Sequence, residues 1–155
     1  MRRVARAPAL AAALLLLGAC ATAPERAQYA ALAERAARHA LEMKGVPYRY
    51  GGASPRQGFD CSGLVQYSYA RAGARLPRTT RAQWRASDAV PLAQLRPGDL
   101  LFFHLEGKRN SHVALYLGGG RFVHAPSSGK HVSIATLAQP YWRRHLAGAR
   151  RPRLD

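Results

Sequence analysis

The spacing of apolar residues changes near the middle of this chain, and that change is the strongest constraint on its fold. Residues 29–43 and 61–72 place apolar side chains three and four positions apart, which predicts two amphipathic helices. Four later stretches show the short apolar runs of strands between Gly, Pro, Asn and Ser: 99–103, 111–117, 121–125 and 131–134. Helices followed by strands predict an α+β fold rather than a βαβ series.

The length of the chain predicts a single small domain behind a short leader. A chain of 155 residues is long enough for one hydrophobic core and too short for two. We expect the domain to cover residues 29–146. Residues 21–28, rich in Ala, Thr and Pro, are predicted to be a tether, and residues 147–155 a solvated basic tail.

The first twenty residues have the pattern of an export signal. Three arginines precede the apolar run of residues 10–17: Arg2, Arg3 and Arg6. That run is too short to span a bilayer, which needs about 20 apolar residues. Residues 17–20, Leu-Gly-Ala-Cys, provide the small side chains of a cleavage site. The segment is therefore predicted to be removed.

The cleavage site resembles a bacterial lipobox, which implies that Cys20 is lipidated and becomes the new N-terminus. Two or three acyl chains anchor a protein stably. Ala21, rather than Asp, follows Cys20, and this favours the periplasmic face of the outer membrane over retention at the inner one. The alternative is an ordinary secretory signal cut near Ala23, which would leave an unanchored protein.

The charge of the chain predicts anionic partners. It carries 24 basic and 8 acidic side chains, a net charge of +16. Lipid head groups, lipopolysaccharide and cell-wall carboxylates are the anions available to an exported protein. Nucleic acid is not expected, because of the export signal and because no basic helix interleaved with aromatic residues is present. The alternative is a merely solvated basic surface.

Cys61 is the candidate nucleophile. It lies in a Gly-bounded turn that runs into the second predicted helix, and it is the only thiol left once Cys20 is lipidated. The positive end of a helix and a neighbouring imidazolium lower a thiol pKa to about 3.5–7.5, which predicts a reactive thiolate. The alternative is a small buried hydrophobic residue.

Two histidines are predicted to meet on one face of a hairpin. The glycines of residues 118–120 can close it. The expected pairs are Leu117 with Arg121, Tyr116 with Phe122 and Ala114 with His124. Alternation along the strands then places His112 and His124 on the same face, as diagonal neighbours about 7–8 Å apart. A helix packed on that face would bring Cys61 to His112.

These residues suffice for covalent catalysis. Cys61 would attack, His112 would protonate the leaving amine, and His124 would orient His112. The backbone N–H of Cys61 and the Tyr48 hydroxyl would stabilise the oxyanion. Cys61, His112 and His124 could alternatively bind zinc with an open fourth position.

Six sequence blocks together resemble the NlpC/P60 family of cell-wall endopeptidases, over residues 29–142. Their order and spacing match: residues 48–52 (YRYGG), 60–65 (DCSGLV), 76–80 (LPRTT), 96–103 (RPGDLLFF), 111–118 (SHVALYLG) and 122–125 (FVHA). The resemblance implies a papain-like α+β fold, with N-terminal helices packed on a mostly antiparallel sheet and no cofactor or catalytic metal.

The resemblance also implies the substrate. It points to peptidoglycan, cut at the D-Ala–meso-diaminopimelate crosslink or at the γ-D-Glu–meso-diaminopimelate bond, with the crosslink favoured for a short anchored chain. The family roles fall on Cys61, His112, His124 and Tyr48, with Asp60 and Ser62 as substrate contacts. For Asp60, a helix N-cap is the structural alternative. Two further expectations are a restraining adaptor or regulatory protease and, as an alternative function, a non-catalytic wall-binding lipoprotein.

Overall fold

The computed structural model describes residues 18–154. The helices are α1 (Gly18–Glu42), α2 (Cys61–Ala72), α3 (Thr80–Arg85) and α4 (Pro140–His145), with a 3₁₀ turn at Leu92–Gln94. The strands are β1 (Ala53–Ser54), β2 (Gly58–Phe59), β3 (Ser87–Val90), β4 (Leu100–Leu105), β5 (Lys108–Gly118), β6 (Arg121–His124), β7 (Ser133–Thr136) and β8 (Leu146–Pro152). None of the described helices is both long and apolar enough to cross a bilayer. Most of the predicted signal, residues 1–17, lies outside the described residues.

Helix α1 begins well before the predicted start at residue 29. It already includes residues 21–28, so the predicted tether is wrong for this part of the chain. Ala, Glu, Arg and Gln have high helix propensity, and the helix continues through Pro24. Its inner face is made of small residues, and Ala36 and Ala40 are fully buried. A Cβ atom on Gly98 would lie 2.6 Å from that of Ala33, so this face lies directly against the loop before β4.

Helix α2 has the predicted boundaries, and its ends explain them. Asp60 caps the N-terminus by accepting a hydrogen bond from the Gly63 N–H at 2.7 Å. Gly73 ends the helix with a φ of 103°, a left-handed conformation that favours glycine. The predicted apolar stripe is buried, as expected: Leu64, Val65, Ser68, Tyr69 and Ala72.

The main sheet has six antiparallel strands in the order β3-β8-β4-β5-β6-β7. One face, which includes Val113 and Leu115, packs against α1 and α2. The other face, which includes Phe103 and Tyr116, forms a second apolar cluster that Trp142 of α4 covers in part. The predicted α+β fold is confirmed.

The β5–β6 hairpin confirms one of the predicted pairs and corrects another. Tyr116 pairs with Phe122 as expected, but Arg121 pairs with Gly118 rather than Leu117, because a bulge shifts the register between residues 116 and 118. All three loop glycines have positive φ. His112 and His124 share the face of Phe103 and Phe122, as the alternation predicts. The predicted helix on that face is wrong, because α2 packs on the opposite one.

The predicted basic tail is largely a strand, so the domain boundary at residue 146 is also wrong. Strand β8 pairs with both β3 and β4 in the middle of the sheet. The arginines of this strand obscure the alternation of buried and exposed side chains in the sequence. Ala149, for example, is only 4% exposed. Arg151 contacts both carboxylate oxygens of buried Asp99, at 2.8 Å each. Arg151, which the sequence predicted to be solvated, thus forms an ion pair within the domain.

Candidate active site

Cys61 is the first residue of α2 and is half-buried. Its Sγ lies 3.6 Å from Oγ1 of Thr80, the first residue of α3. The backbone N–H groups of Ser62 and Val113 also face the sulfur and act to lower its pKa. Val113 directly follows His112 on β5. The thiol therefore meets β5 beside one of the two predicted histidines.

A dense polar network fixes the residue before the thiol. The Asp60 carboxylate accepts hydrogen bonds from the N–H groups of Gly51 and Gly63 and from the Ser62 hydroxyl. Arg78 contacts both of its oxygens, at 2.6 and 2.9 Å. The same guanidinium donates to Ser62 Oγ at 3.0 Å. Asp60 is thus a helix cap whose carboxylate the protein itself surrounds with donors.

The two histidines form a directly hydrogen-bonded pair. His112 Nε2 lies 2.9 Å from His124 Nδ1, across the β5–β6 hairpin. Their exposures are only 4% and 3%. Because His112 uses Nε2 for this bond, its Nδ1 is the nitrogen left for a reacting group. The pairing that strand alternation predicts is therefore present.

An aromatic shell surrounds the histidine pair. The Trp142 ring is nearly parallel to that of His112, with centroids 6.0 Å apart, and meets the edge of His124 at 4.9 Å. Phe103 and Phe122 pack against the same tryptophan, at 4.9 and 5.2 Å. This shell excludes water from both imidazoles, and it holds them in place.

Burial keeps the unliganded site uncharged. Desolvation lowers the pKa of His112 to about 3, with a further contribution from His124. Desolvation also lowers the pKa of His124 to about 4, helped by Lys130. Burial raises the pKa of the Cys61 thiol, even though neighbouring hydrogen bonds oppose this. The predicted thiolate is therefore wrong for the resting state, since burial penalises both charged forms.

Tyr48 lies close enough to Cys61 for the two side chains to interact electrostatically. Burial raises the pKa of the Tyr48 phenol, and Cys61 and Asp60 raise it further. The backbone N–H of Tyr48 donates to the Lys130 carbonyl at 2.8 Å, which ties this residue to the loop before β7. Tyr48 thus keeps its hydroxyl proton and can act as a donor.

Comparison with known proteins identifies the family. Residues 45–151, more than two thirds of the chain, match the NlpC/P60 family. This chain belongs to the NlpC/P60 family. Its fold is also that of solved NlpC/P60 proteins. One from Staphylococcus aureus, described as similar to a lipoprotein, has a TM-score of 0.70 and 42% identity, covering 78% of this chain and 41% of that one. One from Bacillus cereus also has a TM-score of 0.70, with 38% identity, covering 77% and 40%.

Several relatives of this chain are named as enzymes that cleave cell-wall material. The murein DD-endopeptidase MepH of Escherichia coli is 44% identical over 72% of this chain and 42% of its own length. The bifunctional muramidase/DL-endopeptidase CwlT of Bacillus subtilis is 44% identical over 73% and 34%. The murein DD-endopeptidase/LD-carboxypeptidase MepS of Escherichia coli is 41% identical over 71% and 57%. The chain thus spans less than two thirds of each of these relatives.

The geometry of the NlpC/P60 site does not support the zinc alternative. In the part of the chain that the structure describes, no three His, Cys, Asp or Glu side chains lie close enough together to hold a metal ion. His112 and His124 instead direct ring nitrogens at each other. Cys61, His112 and His124 do not converge on one point as metal ligands must.

Four residues of the candidate site have no role predicted from the sequence. Arg78 and Thr80 belong to the block at residues 76–80, which was quoted without a role for either. Gln83 is buried, and its amide donates to the carbonyls of Ser62 and Pro77, which ties α3 to the first turn of α2. Trp142 lies outside all six sequence blocks. Arg78, five residues after the helix-ending Gly73, was the one available signal, because a half-buried cap such as Asp60 needs a cation.

The buried histidine pair predicts acid sensitivity of folding. In the unfolded chain a histidine takes up its proton near pH 6.5, whereas the folded pKa values are about 3 and about 4. Below pH 6.5 the unfolded state therefore binds more protons, and stability falls by up to about 2.7 kcal/mol per pH unit for two groups. The loss should be complete only below the folded pKa values.

Urea unfolding at pH 7.5, 6, 5 and 4.5 measures this effect. His124→Asn removes one of the two groups and should reduce the slope between pH 6 and 4.5 by about half. His131→Asn, at an exposed position, is the matched control and should leave the slope unchanged. Equal slopes for wild type and His124→Asn would contradict the assignment.

Proposed function

We propose that this chain is a cysteine peptidase that hydrolyses peptide bonds in peptidoglycan. The observation that carries the proposal is Cys61 at the start of α2, set against β5 beside the hydrogen-bonded His112–His124 pair. Membership of the NlpC/P60 family and the murein-cleaving activities named for its relatives support it. No cofactor is required by this chemistry.

In the proposed reaction His112 acts first as a base. As Cys61 Sγ attacks the scissile carbonyl, its proton passes to His112 Nδ1, so the charged pair forms only during the reaction. His112 then protonates the amine as the C–N bond breaks, leaving a thioester on Cys61. Water gives its proton to His112, hydrolyses the thioester and restores the thiol. His124 Nδ1 orients His112 throughout.

The oxyanion of the intermediate has donors nearby. The backbone N–H of Cys61 lies in the first turn of α2, where such groups lack an intrahelical partner. The protonated Tyr48 hydroxyl is the second donor. Asp60 and Ser62, assigned to substrate by the family resemblance, act mainly through the network with Arg78, which holds this first turn in place.

The preferred bond in this proposal is the D-Ala–meso-diaminopimelate crosslink. Two of the Escherichia coli relatives are named murein DD-endopeptidases, while Bacillus subtilis relatives are named for DL-bonds. The Leu-Gly-Ala-Cys site supports lipidation at Cys20 and a location at the periplasmic face of the outer membrane. An adaptor or a regulatory protease would restrain the activity, and its loss should raise the rate of crosslink cleavage in cells.

Mass spectrometry of digested peptidoglycan tests the proposed function. Crosslinked and uncrosslinked muropeptides are incubated with the purified chain, with chelator and with the same chain alkylated by iodoacetamide. Conversion of dimers to monomers with and without chelator, but not after alkylation, supports crosslink cleavage by a thiol. Cutting of stems after γ-D-Glu would move the proposal to the other bond. Stoichiometric binding without turnover would replace it with the non-catalytic wall-binding lipoprotein.

A further inference from the structure

We propose that Arg49, Tyr50 and Arg56 form a carboxylate-binding subsite beside Cys61 that selects acidic stem peptides. This inference rests on the proposed function, because it concerns the substrate of the same site. Arg49 and Tyr50 belong to the block at residues 48–52, and Arg56 lies in the loop that follows it; none of the three has a role predicted from the sequence.

The loop encloses a cavity of suitable size. Its volume is about 270 Å³, enough for one acidic amino-acid residue but not for a large cofactor. Six residues line it: Arg49, Tyr50, Gly51, Gly52, Arg56 and Gln57. Two arginines and a tyrosine thus border one concave surface.

The guanidinium groups of the two arginines have no partner among residues 18–154. Both side chains are exposed, and neither forms a side-chain hydrogen bond or an ion pair there. Residues 44–59 contain no Asp or Glu at all. By contrast, Arg78 and Arg151, at other positions, are each held by a carboxylate. Guanidinium groups bind carboxylates through two parallel hydrogen bonds, so an acidic ligand fits the unused charges.

Tyr50 adds an apolar contact surface to the cavity. Its side chain is 88% exposed, far more than the other exposed large hydrophobic residues in the described part of the chain, which range from 36% to 54%. Nothing in the packing of the domain explains this exposure. Tyr and Arg are the residue types that concentrate binding energy at recognition surfaces.

The floor of the cavity is joined directly to the nucleophile segment. The Gly51 N–H donates to Asp60 Oδ2 at 2.9 Å, and the Asp60 N–H donates to the Gly52 carbonyl at 3.0 Å. A Cβ atom at Gly52 would lie 2.3 Å from the Gly58 carbonyl oxygen, so only glycine fits there. Asp60 directly precedes Cys61, so these hydrogen bonds connect the cavity wall to the residue next to the nucleophile.

A stem peptide supplies carboxylates at the required spacing. An extended peptide advances by about 3.3–3.6 Å per residue, so a residue next to the scissile bond can reach a neighbouring cavity. The carboxylate can come from D-Glu or from diaminopimelate. Amidation of either group removes its negative charge, and comparison of the two amides distinguishes these sources.

Equilibrium binding tests the subsite without requiring turnover. Calorimetry measures the Kd of a stem tetrapeptide with free carboxylates, of its D-Glu amide and of its diaminopimelate amide, all in the Cys61→Ala background. Adding Arg49→Gln and Arg56→Gln together should weaken binding of the free acid about 10- to 100-fold, as expected for loss of two charge-assisted contacts. Binding of the amide that lacks the recognised carboxylate should already be weak, and it should not change further.

The matched control removes the same charge elsewhere. Arg71→Gln with Arg75→Gln replaces two exposed arginines that also lack partners, at the far end of α2 and beyond it. This pair should leave all three Kd values within about twofold. An equal loss in the control, or an unchanged Kd in the Arg49/Arg56 variant, would overturn the subsite. Absence of hydrolysis by wild type would overturn the proposed function instead, whatever the Kd values.

Discussion

Replacing Cys61 with alanine should abolish peptidoglycan hydrolysis while the domain remains folded. In the proposed mechanism the thiol forms the covalent intermediate, and removal of a nucleophile costs at least about 10⁴-fold in kcat. Cys61 is only half-buried and behaves structurally as a small hydrophobic residue, so the free energy of unfolding should change by less than about 1 kcal/mol. Activity and structure therefore separate at this position.

Rates of muropeptide cleavage and urea midpoints measure the two effects. His112→Ala is the informative companion, because it removes the proposed base but leaves the sulfur available to alkylation. It should also lose at least about 10³-fold in kcat. If Cys61→Ala retained measurable turnover of the same products, the proposed nucleophile would be wrong.

Replacing Asp60 with asparagine should destabilise the domain by about 3 kcal/mol. The substitution keeps the size of the side chain and some capping ability, but it removes the charge that Arg78 contacts through both oxygens. The Asp60 side chain is 13% exposed and that of Arg78 34%, so the unpaired guanidinium remains partly shielded from water. Most of the lost free energy of unfolding comes from leaving the Arg78 charge without its carboxylate.

Asp88→Asn is the matched control, since it breaks the ion pair between Asp88 and Arg153. Those side chains are 67% and 53% exposed, and the loss should be below about 1 kcal/mol. Urea unfolding compares Asp60→Asn with Asp88→Asn. The coupling energy between Asp60 and Arg78 comes from Asp60→Asn, Arg78→Met and the double variant Asp60→Asn/Arg78→Met. Equal effects of Asp60→Asn and Asp88→Asn would show that the buried network contributes no special stability.

The residues that sequence analysis placed correctly are fixed by local chemistry. Asp60 and Gly73 carry a cap and a left-handed stop, which define α2 within the chain itself. The period of two along β5 and β6 places His112 and His124 on one face wherever the sheet lies. Because these signals need no distant contact, they can be predicted from the sequence.

The errors concern contacts between distant parts of the chain. Strand β8 is polar enough to resemble a tail, and only its pairing with β3 and β4 and the contact of Arg151 with Asp99 make it part of the sheet. Which face α2 covers depends on how the whole sheet packs. Trp142 reaches the histidines from α4, about twenty residues beyond His124, and no local pattern reports that approach.

The uncharged resting site has a consequence for the survival of the protein. The thiolate is the form that reacts with peroxides and disulfides, and a thiol whose pKa is raised by burial is rarely ionised. In the oxidising compartment that the export signal predicts, an exposed thiolate without a resolving partner would be lost to sulfinic acid. In the proposed mechanism Cys61 ionises only during the reaction, so burial preserves this thiol between turnovers.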